Sequence, residues 1–267
     1  MSDYQLRFGG IARLYGTKGA QKLNDSHFCV VGIGGVGSWV AEALARNGVG
    51  NITLIDLDDI CITNINRQIH ALSETIGKDK IEVMAERIKQ INPNCQVTLI
   101  DDFITEENIS STITKAFDYV IDAIDSVNIK TKIIAHCKRN KISIITIGGA
   151  GGQVDPSKIE RCDLSKTFQD PLLAKVKNQL RREHRFPRAD IVKKSKRKFG
   201  VEAIFSTEQL RYPNNIGEIC LSKQNQEGPT RLDCSSGFGA TTHVTATFAF
   251  FAVGRAIDKL LAKKSDE

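Results

Sequence analysis

Gly32-Ile33-Gly34-Gly35-Val36-Gly37 has the spacing G-x-G-x-x-G. Glycines in such a turn let main-chain atoms approach phosphate oxygens. A helix opening directly after the turn offers unpaired N–H groups to anions. Asp56 follows about 20 residues on, where a carboxylate takes ribose hydroxyls. These features do not separate a dinucleotide from ATP. The residues that come next do. Asp56, Asp58 and Asp59 are followed by Asn64, Arg67 and Gln68, then by Lys80, and later by Asp122 and Asp125. A dinucleotide's diphosphate needs no metal, whereas two cations beside spare carboxylates suit a triphosphate with Mg2+. Each residue alone has a plainer reading. Asp58 or Asp59 could cap a turn, Lys80 could be a solvated helix residue, and Asp125 could cap a helix. Their joint placement argues for the site.

The elements that would position these residues alternate. Apolar runs at 27–33, 51–56, 95–100, 118–124 and 141–148 read as strands. Residues 38–46, 78–91 and 126–139 read as helices, the second with Ile81, Met84, Ala85 and Ile88 on one face. This rhythm predicts an α/β fold with a doubly wound, mostly parallel sheet, whose carboxyl edge gathers the strand ends and the ligand. After the Gly-rich run 148–152 the rhythm breaks. Residues 153–235 read as irregular and polar, with a short strand at 218–222, and 238–262 read as a last helix. The expected division is a nucleotide-binding domain over 1–150 and a smaller, substrate-facing part of the same fold unit over 151–267.

A chain of 267 residues, 41% apolar and 25% charged, buries a large core without disulfides. Its seven cysteines form no C-x-x-C pair. That argues against a disulfide framework and against zinc, and for a reducing cytoplasm. Asp3 and Arg7 interrupt the N-terminus, so no secretory signal is expected. Residues 237–254 lack formal charge and could pass for a membrane span, or suggest peripheral membrane association, but their threonines and His243 favour a buried core helix. Net charge is +6. Between Arg181 and Lys198, nine Lys/Arg face two acids, which is +7 and leaves about −1 for the remainder. Arg181, Arg182, Arg185, Lys193, Lys194, Lys196, Arg197 and Lys198 therefore suit a polyanion, with Phe186 as the segment's aromatic stacking surface. A solvated charged loop is the alternative.

G-x-G-G-x-G, then D-x-D…N-x-x-R-Q, the helix-start lysine and D-x-x-D resemble the adenylation domain of ubiquitin-activating-type enzymes. That superfamily includes the bacterial activators of molybdopterin and thiamine sulfur carriers. The resemblance implies a Rossmann-like ATP site built on Gly32, Gly34, Gly35, Gly37, Asp56, Asp58, Asn64, Arg67, Gln68 and Lys80. It implies that Asp56 holds the ribose, that Asn64, Arg67 and Lys80 grip phosphates, and that Asp125 works with Mg2+. Arg67, Lys80 and Asp125 would be the catalytic groups.

RFGGIARLYG (7–16), DDICITNINRQIHAL (58–72), GGAGGQVDP (148–156), KTFQDPL (166–172), VEAIFSTE (201–208) and DCSSGFGA (233–240) are similar to a bacterial branch of that superfamily acting on tRNA. This implies ATP-dependent cyclisation, with loss of water, of the threonylcarbamoyl group on adenosine 37. The route would be an acyl adenylate, releasing AMP and pyrophosphate. It also implies tRNA rather than DNA as partner, a homodimer, and an associated cysteine desulfurase and sulfur-acceptor system. The carrier-activating relatives hold zinc through two C-x-x-C pairs, absent here. They also carry Arg-Gln where this chain has Gly9-Gly10, so Arg7 or Arg13 would be the arm arginine that reaches a neighbour's ATP.

Cys234 lies in a small-residue loop and could form a thioester with an acyl adenylate, with Cys162 as a weaker candidate. A buried structural cysteine is the alternative, since internal cyclisation needs no covalent relay. The loop backbone could also bind K+ or Na+. Three rival readings remain at this point: adenylation of the C-terminal glycine of a ubiquitin-like sulfur carrier, an NAD-dependent oxidoreductase, and an RNA-binding module.

Overall fold

The computed structural model describes residues 2–188, 197–214, 217–221 and 238–263. Helix α1 (Asp3–Asp25) opens on a capping box between Ser2 and Gln5 and kinks at Gly16. It leads into β1 (His27–Val31), α2 (Gly37–Arg46), β2 (Asn51–Ile55), α3 (Lys80–Ile91) and β3 (Gln96–Ile100). The short α4 (Ile109–Thr112), β4 (Tyr119–Asp122), α5 (Val127–Asn140) and β5 (Ile144–Ile147) follow. Beyond residue 150 come β6 (Ile159–Asp163), α6 (Pro171–Glu183), β7 (Glu202–Ser206), the ribbon β8 (Tyr212–Pro213) and β9 (Ile219–Cys220), and α7 (Thr242–Ala262).

Seven strands form one sheet in the order β3-β2-β1-β4-β5-β7-β6. Every pairing is parallel except β6 with β7. Successive side chains of a strand point to opposite faces, which sorts β1 between two cores. Phe28 and Val30 pack with Val40 and Leu44 of α2, Met84 of α3 and Phe248 of α7. Cys29 and Val31 pack with Ile133 and Ile134 of α5 and Leu173 and Val176 of α6. Both faces of the central strands are dry, which is why they read as unbroken apolar runs.

The stretch expected to be irregular carries two sheet strands and a helix. The edge strand β6 is half polar, with burial only at its first residue, so it lacks the apolar run that marks the inner strands. Helix α6 buries Leu172, Leu173, Val176 and Leu180 beneath a strongly charged outer face. The last helix, α7, lies in the core as expected. Among the described residues no helix is long and apolar enough to cross a membrane.

Candidate active site

The sheet order reverses between β1 and β4, and a cleft of about 730 Å3 opens there at the carboxyl edge. That position and size suit a small-molecule ligand. One wall is the glycine turn. Gly32 holds φ at +86°, and a Cβ on Gly37 would collide with the Gly32 carbonyl, so both positions need glycine. No side chain caps the start of α2, and the Ser38 and Trp39 N–H groups donate to the Gly34 and Val36 carbonyls, so a ligand would meet the amides of the turn that precedes them.

The Asp56 carboxylate accepts from the Ile33 N–H at 2.5 Å and from the Asp58 N–H at 2.9 Å. These bonds fix it at the end of β2, facing the turn. Lys80, the first residue of α3, is nearly buried, with its Nζ 2.7 Å from Asp58 Oδ2 and 4.0 Å from Asp56 Oδ1. Arg87 on the same helix grips the buried Glu42 of α2 with two hydrogen bonds, locking the lysine's helix to the phosphate-turn helix.

Arg67 lies over the turn: a Cβ on Gly35 would stand 3.2 Å from its Cγ and Cδ. Its segment is pinned from two sides. Trp39 Nε1 donates to the Arg67 carbonyl at 3.0 Å, and Asn66 Nδ2 donates to Ala240 at the entry to α7. Asn64 is buried and accepts from the Cys61 N–H. Gln68 is buried, with its Oε1 unpartnered among the described residues.

Gly32, Gly34, Gly35, Asp56, Asp58, Asn64, Arg67, Gln68, Lys80 and Asp125 thus line one cleft, with Gly37 just behind the turn. Arg13 does not line it. It sits exposed on α1, whose N-terminal half is tied through Tyr4 Oη to Gly48 at the opposite edge of the sheet. Cys162 is also away from the cleft. It lies on β6, and burial pushes its thiol pKa up, against thiolate chemistry. Cys234 and Lys193, Lys194 and Lys196 lie outside the described residues.

Of the other basic residues, Arg181, Arg182, Arg185, Arg197 and Lys198 gather at the amino edge of the sheet, far from the cleft. Phe186 is not a stacking surface: it is buried against Phe199, ring centroids 5.0 Å apart. Arg181 lies over the same Phe199 ring.

Sequence reasoning missed the two ends of the cleft. Phe103, Ile104 and Thr105, after β3, wall one end, and Phe103 is 59% exposed. Gly148, Gly149, Ala150, Leu172, Ala240 and Thr245 wall the other. It also missed Lys130, wholly buried on α5, whose Nζ donates to Asp122 Oδ1 at 2.9 Å and to the Ile124 carbonyl at 2.8 Å. Thr146 donates to the other Asp122 oxygen. Burial pushes the Asp122 carboxyl above its ordinary range, against the pull of Lys130. This pair braces the turn that carries Ile124 and Asp125 into the cleft. The sole tryptophan, two residues past the glycine turn, was the one linear hint at such bracing.

His70, behind the site, has neither ring nitrogen partnered among the described residues. Burial, with Lys80 and Arg87 nearby, lowers its pKa to about 4 from the ordinary 6.5. In the unfolded chain it takes up a proton near 6.5 that the fold refuses until about 4. The associated stability is therefore complete above 6.5 and disappears as the pH falls to 4, amounting to about 3 kcal/mol. In urea unfolding, His70→Gln is expected to flatten the acid loss of stability by that amount. Equal acid slopes in the two proteins would contradict it.

The doubly wound sheet, the glycine turn at its switch point and the acid after β2 define a nucleotide-binding α/β protein of the Rossmann-like class. The ThiF family profile matches residues 9–266, and the chain belongs to that family. It is 57% identical, over 97% of its length, to the tRNA threonylcarbamoyladenosine dehydratase of Escherichia coli strain K12, covering 95% of that protein. It is likewise 57% identical to the enzyme of that name from Haemophilus influenzae, over 99% of this chain and 97% of that one. The structure of E. coli tRNA N6-threonylcarbamoyladenosine dehydratase in complex with ATP superposes with a TM-score of 0.85. Identity is 53%, and coverage is 98% of this chain and 96% of that one.

Proposed function

We propose that this chain binds ATP in the cleft and cyclises the threonylcarbamoyl group on adenosine 37 of tRNA. One observation carries the reading: a phosphate turn, a ribose acid, two cations and a spare carboxylate line a single cleft in a chain 57% identical to dehydratases of that name. The substrate carboxylate attacks the α-phosphorus of ATP, and the bond to pyrophosphate breaks. A nucleophile in the same side chain then attacks the acyl carbon, and AMP departs with the former carboxylate oxygen. The net result is loss of one water from the nucleoside, as a ligase-type reaction. Holding both groups in one side chain supplies much of the rate, since effective molarities of ~10⁵ M or more are reached by such geometry.

Asp56 holds the ribose, and Arg67 and Lys80, with Asn64 and Gln68 behind them, neutralise charge developing on the phosphates. The Phe103–Thr105 end takes the adenine, and the Gly148–Ala150 end the acyl group. The donor set fits Mg2+, which keeps most of its waters and needs one or two carboxylates beside the phosphates. Asp125, exposed at the rim, would hold it and so add charge neutralisation. Arg7 or Arg13 completes the site of a partner subunit in a homodimer, which accounts for their distance from the cleft of their own chain. Cys234 in this reading is structural, and K+ or Na+ is a candidate ligand of its loop. The protein acts in the cytoplasm, and the family resemblance alone supports a sulfur-acceptor system as associate.

The test is AMP release with tRNA bearing threonylcarbamoyladenosine, followed by mass analysis of the nucleoside. Tenfold or greater stimulation and a product lighter by one water are expected. Stimulation by a ubiquitin-like sulfur carrier with a C-terminal glycine, and none by tRNA, would replace this substrate with that one.

A further inference from the structure

Helices α5 and α6 lie side by side, and both run from the cleft to the opposite edge of the sheet. Ile129 and Leu172, from their first turns, line the cleft. Asp170, which caps α6, accepts from the Gly149 N–H at 3.0 Å. At the far ends Arg139 of α5 meets His184 after α6 at 3.2 Å. The far end is the amino edge of the sheet. Asp163 there, paired in register with Glu202, accepts from the Phe199 and Gly200 N–H groups and anchors the return of the basic segment.

The solvent side of this helix pair is cationic along its length. Exposed Arg139 comes from α5 and exposed Lys175, Arg182 and Arg185 from α6 and its extension, with Lys132 and Arg181 half-buried beside them. Cations in the last turn of a helix also serve its dipole, which alone would account for Arg139, Arg181 and Arg182. It does not account for Lys175, which lies within the first two turns of α6, or for Arg185, beyond the helix end. Acids are few here: Glu106 stands 3.2 Å from Lys132, and Glu183 stands 2.6 Å from Arg182. The 13 residues of α6 span ~20 Å at 1.5 Å per residue. The charge is therefore a track leading away from the cleft.

We infer that the α5–α6 face docks the helical stem of the RNA whose loop nucleotide enters the cleft. This rests on the tRNA reading above. A loop nucleotide alone does not reach along ~20 Å of helix, whereas a stem continuing from that loop lays a line of phosphates over it. Such contacts set position and affinity, and the cleft selects the nucleotide.

The test compares wild type with Arg182→Glu/Arg185→Glu, both exposed at the end of α6 remote from the cleft. One probe is full tRNA carrying threonylcarbamoyladenosine, and the other a hairpin with the same loop and a stem of a few base pairs. The double variant is expected to bind tRNA roughly tenfold or more weakly and to lower the slope of log K against log salt by about 2. Both proteins should bind the short hairpin alike and ATP alike. Arg182→Gln/Arg185→Gln should show a smaller loss in the same direction, with thermal unfolding unchanged. Unaltered tRNA affinity would overturn the inference and leave the face to another anionic partner. An equal loss on the short hairpin would overturn it too, because the charges would then act at the loop. If wild type releases no AMP with tRNA, the functional reading itself has failed, and that shows before any variants are compared.

Discussion

Lys80→Ala is expected to slow pyrophosphate exchange into ATP roughly 10²-fold or more, on the order of 3 kcal/mol of transition-state stabilisation. In the proposed reaction the ammonium lies where phosphate charge would build up. It leads α3 into the cleft, only 7% of its side chain is exposed, and Asp56 and Asp58 keep it aimed at the turn. Stability should change little, because its close partner Asp58 is 61% exposed and such pairs contribute about 1 kcal/mol or less. Lys80→Ala/Asp58→Asn separates two roles. If the lysine only neutralised Asp58, the double variant would recover exchange. No recovery is expected. Wild-type exchange in Lys80→Ala would remove the lysine from the phosphates.

Lys130→Met should destabilise the fold by about 3–5 kcal/mol, lowering the unfolding temperature by on the order of 10 °C. The side chain is wholly buried and its three donor directions are taken by Asp122 and the carbonyls of Asp122 and Ile124. Removing it leaves the buried Asp122 carboxylate without a counter-charge. Adding Asp122→Asn should restore much of the loss, since replacing both charges removes the uncompensated one. In the single variant Asp122 escapes its charge by taking a proton, so its folded pKa rises further above the unfolded value. The gap from wild type, measured at each pH in urea, should therefore shrink as the pH falls toward the ordinary carboxylate range. A gap that is constant with pH would mean that the loss comes from packing alone.

Much of the site was legible because its parts are local in the chain. A turn this tight requires glycines at Gly32 and Gly37, and strand ends in a doubly wound sheet converge on one edge wherever they fall in sequence. The apolar periodicity of 27–147 therefore located both the sheet and the residues at its carboxyl rim, Asp56, Lys80 and Asp125 among them. What surrounds them was decided by tertiary structure. Strand β7 joins beside β5 across the 54 residues 148–201 of intervening chain, and the polar edge strand β6 has no apolar signature because one of its sides has no neighbour. The buried pair Asp122–Lys130 looks like two ordinary charges until β4 and α5 pack and remove the water. The basic segment announced a polyanion in composition alone. Only the packing of α5 on α6 set its flanks ~20 Å from the cleft, because a helix carries charge away from its first turn at 1.5 Å per residue and no linear pattern states which end faces the ligand.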